Sequence, residues 1–213
     1  MSAGPETGSA GHARIVPAGS TELTGRPLWG LLDALASPVP TPGAGPAAAW
    51  TCAVAAALVE MVSAIASGGD SAARAAAGAR RERACVLRLR ALELAETDMV
   101  AYQAVLAARR QPAGADRVRQ FREALSAAAD PPLAIAEVAA ELAELAADAG
   151  EQARGGVRGE AATAAILADA GAAACVAMLS LNLAGNSDDP RRVHGDQLAH
   201  DAHQHRQRVA QTK

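Results

Sequence analysis

With 213 residues, half of them apolar, and a formal net charge of −3, the chain is long enough to bury one sizeable core. It lacks the general basic surface on which nucleic-acid binders rely. Alanine dominates the apolar fraction, and one Phe, one Tyr and two Trp make up the aromatics, which argues against a β-rich domain and for an all-α class.

Residues 1–26 are Gly, Ser, Pro, Thr and Ala without periodicity or an apolar signal-peptide core, and read as a disordered arm. A first helix is predicted from about Pro27, well placed at a helix start, to Ala36. Leu28, Leu31, Leu32 and Leu35 give it one apolar face, and the Ser37-Pro38 step ends it. A proline-punctuated turn follows, containing Pro42, Gly43 and Gly45. It feeds directly into a second helix over about Pro46 to Ala66, whose Val54, Leu58, Met61, Val62 and Ile65 form a ridge among alanines. Such a junction presents free backbone N–H groups, to which a carbonyl or an anion can bind. A helix apolar nearly all round is expected at the centre of the fold.

Ser67 to Asp70 closes that helix, with Asp70 or Ser71 capping the next. The third helix is predicted from Ser71 to about Ala95, with Thr97-Asp98 capping a separate helix to Arg109. Gln111 to Gly114 is a turn, and a fourth helix covers about Ala115 to Ala129. Beyond Asp130-Pro131-Pro132, a fifth helix carries Ile135, Val138, Leu142 and Leu145 on one stripe, beside a solvated acidic face of Glu137, Glu141 and Glu144.

The glycine-rich loop from Gly150 to Gly159 holds Arg154 and Arg158. The sixth helix, about Glu160 to Leu183, places Ala164, Leu167, Gly171, Ala174, Met178 and Leu181 at 3-4-3-4 spacing. That seam of mostly small residues allows close approach of another helix, within the chain or across a dimer. Residues 186–213 are polar; their His194, His200, His203 and His205 lie without a ligand pattern and read as part of a solvated tail. The three cysteines, Cys52, Cys85 and Cys175, stand singly in apolar runs with no metal spacing, so buried free thiols of a reducing cytoplasm are expected. Two alanine-rich stretches, Ala47 to Ser67 and Ala161 to Gly185, approach the length of a membrane span. Each carries a carboxylate, Glu60 or Asp169, and alanine contributes little to insertion, so a soluble protein without a membrane partner is expected.

Leu31 to Ser37, Pro40 to Gly45 and the long helix ending in Glu60-Met61-Val62 together resemble the cyclodeaminase/cyclohydrolase family. Asp98, Tyr102 and Val105 match an Asp, aromatic and apolar triplet of that family, and Arg119 through Leu125, Pro132-Leu133, Ala164 to Ala168 and Leu181-Asn182-Leu183 follow in order. The resemblance spans roughly Leu28 to Leu183, and the folded domain is set at residues 27–185. It departs from the family at Ala44, which interrupts a run of three glycines, at Pro46, which replaces a serine, at Glu160, which stands for an Asp, and at Met178, which stands for an Asn. A methyl group narrows a backbone pocket, and proline removes a donor.

The expectation is an all-α bundle of about six helices, homodimeric through its alanine and glycine seams and cytoplasmic; the resemblance implies that it acts on the one-carbon unit of formimino- or methenyl-tetrahydrofolate without a cofactor. It implies Glu160 and Asp98 as catalytic carboxylates, with Pro42, Gly43, Gly45, Tyr102, Arg154, Arg158 and Asn182 around the folate. Each has a plainer reading: Glu160 favours the dipole of its own helix, Asp98 caps a helix, and Tyr102 fills the core. The alternative for the whole chain is a helical relative that has lost the chemistry and serves as a dimeric ligand-binding or interaction scaffold.

Overall fold

The computed structural model describes residues 25–66, 70–153 and 155–211, so the expected arm over residues 1–24, Ser67 to Gly69 and Arg154 lie outside the described residues. Among the described residues the fold is all-helical: α1 (Leu28–Ala36), α2 (Ala44–Ile65), α3 (Ser71–Arg110), α4 (Ala115–Ala127), α5 (Asp130–Gln152), a 3₁₀ turn (Gly155–Val157), α6 (Arg158–Asn182) and α7 (Pro190–Gln211).

Local chemistry sets most of these ends. Pro27 precedes α1 in an extended conformation, and Ser37, forced out of the helical region by Pro38, stops it. Asp70 caps α3, its carboxylate accepting from the Ala73 amide at 2.8 Å, which settles the choice between Asp70 and Ser71. Pro131 and Pro132 occupy the opening turn of α5, where their missing N–H groups would have no helical acceptor anyway.

α2 is the centre of the bundle, packed against α3, α5 and α6. Its inward side is alanine and valine: Ala49, Cys52, Ala55, Ala56, Val59 and Val62 are fully buried. Larger side chains are few, with Leu94, Ile135, Leu142 and Leu179 filling the space between helices. Small residues let the axes close up. Gly171 of α6 shows this best, because a Cβ there would lie 2.7 Å from the Cys52 Sγ and 3.7 Å from the Ala48 carbonyl of α2. The seam from Ala164 to Met178 therefore closes within the chain, leaving Thr163, Ile166, Ala170, Ala173, Ala177 and Leu181 as the outward line of α6.

Two expectations are overturned. α3 runs unbroken for 40 residues, so Thr97-Asp98 begins no new helix. The Thr97 hydroxyl donates back to the Glu93 carbonyl at 2.9 Å, satisfying itself inside the helix, and no proline or glycine interrupts the rod there. Residues 190–211 do not form a solvated tail: α7 packs along α5 and α6, burying Gly195, Ala202 and Val209. Its docking is electrostatic as well as apolar. Arg206 donates to the buried Asp169 at 2.7 Å, and Arg208 pairs with Asp148 and, at 2.9 Å, with Glu151. At its start Arg191 ties Asp189 (2.8 Å), Asp130 (2.6 Å) and the Ser126 carbonyl (2.7 Å) together, holding Asp189 below the usual carboxylate range. Two of the histidines take part, His203 beside Asp169 and His194 beside Glu137, each at 3.4 Å. The acidic side of α5 is likewise partly engaged, since Glu141 accepts from the Arg83 guanidinium.

Candidate functional site

The start of α2, the C-terminal third of α3, α4 and the end of α6 enclose a cavity of about 370 Å³. Its floor is the turn before α2, with Pro40, Thr41, Gly43, Ala44 and Gly45 at the surface. Pro42, joined to Thr41 by a cis peptide bond, is buried beneath that turn and does not line the cavity. Thr41 turns its hydroxyl inward, buried and without a hydrogen-bond partner among the described residues. A buried hydroxyl without a partner is costly, and a ligand would relieve it.

One wall is a single face of α3. Asp98, Tyr102, Val105 and Arg109 recur at i, i+4, i+7 and i+11, with Leu106 between them, so helical periodicity alone brings them into line. Phe121 and Leu125 of α4 form the opposite wall, and Met178, Leu181 and Asn182 of α6 close the end. The Asn182 amide is already committed in part, donating to the Ala128 carbonyl at 2.8 Å.

Asp98 and Gly45 are interlocked. The Asp98 carboxyl occupies the position that a Cβ on residue 45 would take, so only glycine lets the acid lie against the first turn of α2. There the carboxyl is half-buried, without an ion-pair partner among the described residues, and burial pushes it up from 3.8 to about 6. A carboxyl ionising near neutrality can both take and return a proton under ordinary conditions.

The remaining expected residues lie elsewhere. Glu160 and Arg158 sit in the first turn of α6, whereas Met178 is 18 residues further on, about 27 Å away at the rise of an α-helix. Neither reaches the cavity within one chain, and Glu160 keeps one oxygen buried at that far end without a hydrogen-bond partner among the described residues. The sequence placed both carboxylates in one site because it could not say which end of α6 faces the turn. Arg109, Phe121 and Thr41 were not singled out from the sequence; the i+11 spacing from Asp98 is the signal that would have found Arg109. Among the described residues no three His, Cys, Asp or Glu side chains converge as a metal site would require.

An all-helical bundle with one acid-bearing slot at the head of its central helix is the class that fold and site define. Residues 27–197 match the family described as Formiminotransferase-cyclodeaminase, and the chain belongs to that folate one-carbon cyclodeaminase/cyclohydrolase family. It is 34% identical over 164 residues to the methenyltetrahydrofolate cyclohydrolase of Methylorubrum extorquens, covering 74% of this chain and 79% of that one. Its fold is similar to the crystal structure of formiminotetrahydrofolate cyclodeaminase from Thermotoga maritima, with a TM-score of 0.81 over 90% of this chain and 97% of that one at 24% identity.

Proposed function

We propose that this protein hydrolyses 5,10-methenyltetrahydrofolate, with the one-carbon unit held at Asp98. The observation that carries the reading is the half-buried, unpaired Asp98 carboxyl laid against the start of α2 inside a cavity, in a chain whose 34%-identical relative is named as a cyclohydrolase. The methenyl carbon is cationic, and a nearby carboxylate both attracts it and accepts the proton of the attacking water. The water oxygen bonds to the carbon, its proton passes to Asp98, and the bond from the carbon to N5 then breaks. Asp98 returns that proton to N5, the formyl group stays on N10, and the second water proton is released to solvent. This sequence calls on no metal or cofactor.

Support for a homodimer comes from the outward sides of α2 and α6, where Val54, Met61, Ile65, Ile166 and Leu181 are all at least 40% exposed. Support for a cytoplasmic setting comes from three free cysteines, two of them fully buried. A second reading, a folate-binding scaffold without turnover, is favoured by Ala44 and Met178. Both line the cavity where the family resemblance implies a glycine and an asparagine.

The test is loss of the methenyl absorbance with purified protein, run beside ammonia release from the formimino compound. Turnover of the methenyl compound is expected, with kcat/KM rising through about pH 6. Asp98→Asn is expected to lower it roughly a hundredfold or more, and Gly45→Ala to do the same by evicting the carboxyl. An Asp98→Asn protein as active as the wild type would sink the mechanism. Ammonia release alone would make the protein a cyclodeaminase, and binding without either reaction would leave the scaffold.

A further inference from the structure

The cavity is chemically polarised along α3. Asp98 marks one end, and Arg109, eleven residues later on the same face, lies about 16 Å further along the helix axis. Between them the walls are mostly apolar, with Tyr102, Val105 and Leu106 on one side and Phe121 and Leu125 on the other. Arg119 of α4 pairs with Asp116 at 3.0 Å. Arg109 has no such partner among the described residues.

We propose that Arg109 is the residue that reads the glutamate tail of the substrate, binding its carboxylates at the open end of the slot. The inference rests on the folate reading of the same site and gives that reading a direction. A tetrahydrofolate derivative carries its cationic one-carbon unit near the pterin, an apolar aminobenzoyl spacer in the middle and two carboxylates at the far end. Acid, apolar walls and guanidinium follow the same order along α3. The reverse orientation would press the glutamate carboxylates against Asp98 and the cationic carbon against Arg109, with like charges meeting at both ends. A guanidinium also matches a carboxylate with two parallel hydrogen bonds. Arg158, which the resemblance also implies around the folate, sits at the other end of α6.

Calorimetry with two ligands separates the possibilities: tetrahydrofolate, and tetrahydropteroate, which is the same molecule without the glutamate. The wild type is expected to prefer tetrahydrofolate. Arg109→Gln is expected to weaken tetrahydrofolate by roughly ten- to a hundredfold while tetrahydropteroate shifts by less than about threefold. Arg109→Lys should recover part of the loss, because charge is kept and the planar fork is not. Arg110→Gln, a neighbour outside the cavity, is the control and should change neither affinity. Equal affinity of the wild type for both ligands, or an equal loss of both in Arg109→Gln, overturns the role of Arg109 while leaving folate binding intact. If neither ligand binds the wild type, the folate reading falls and this inference falls with it.

Discussion

Asp98 is held in the folded chain where its charge is disfavoured, and that has a sign in pH. Its carboxyl ionises at about 6 when folded, against an ordinary 3.8, because burial penalises the anion. At about pH 3 and below both states hold the proton and the group costs almost nothing. Between about pH 4 and 6 the unfolded chain releases that proton while the folded chain keeps it, so stability is lost as pH rises and levels off above. Asp98→Asn removes this loss. The variant should gain about 1–2 kcal/mol over the wild type near pH 7.5, the figure being reduced for solvent screening at the cavity, and almost nothing near pH 3. Urea midpoints at the two pH values measure it, and a gain of the same size at both would mean that ionisation is not its source. The site was partly legible at this scale. Asp98, Tyr102 and Gly45 stood out through the family pattern, and the structure brings them together. Arg109 did not, because one arginine among many has meaning only once the face it shares with Asp98 is known. Glu160 does not reach this cavity within one chain, and helix polarity across 25 residues of α6 is invisible in a local motif.

Among the helices, the contact of α2 with α6 is the one where a single methyl group decides the outcome. At Gly171 an added Cβ meets the Cys52 sulfur, which is fully buried and has nowhere to retreat. Gly171→Ala gains helix propensity worth up to about 1 kcal/mol but overpacks the seam at a cost of about 1–3 kcal/mol. A net loss of about 1–2 kcal/mol is expected in chemical unfolding. A stabilised variant would mean that the helices do not approach this closely. Gly195 offers a contrast, since there the obstructing atom is the Cδ1 tip of Leu179. Most helices could be read from spacing and end signals, because proline and glycine fall at the turns. The exceptions share a cause. Thr97-Asp98 and the segment holding α7 are polar, and in a sequence polarity looks the same in a helix as in a break or a tail. In the structure the Thr97 hydroxyl bonds within its own helix, and the charges of α7 find carboxylates on α5 and α6.

For the molecule as a whole, the outward sides of α2 and α6 expose apolar side chains along two long helices. Both helices are long and apolar enough to cross a membrane by length and composition, with 50% and 39% of their most apolar windows buried inside the bundle. The proposed dimer covers these faces with a second copy. Light scattering behind a sizing column should give twice the chain mass at micromolar concentration, and Val54→Arg, on the exposed side of α2, should give the single mass. A monomeric wild type would end the dimer reading, and recovery only with detergent would assign these faces to lipid.

The alanine-filled core carries a thermal consequence. Alanine hides little apolar area per residue compared with leucine or phenylalanine, so unfolding exposes less of the surface that raises heat capacity. The heat-capacity increment should therefore fall below the usual ~12–15 cal/mol/K per residue. A smaller increment flattens the curve of stability against temperature: this bundle loses less on cooling and is less curved on heating than an aromatic-cored protein of equal length.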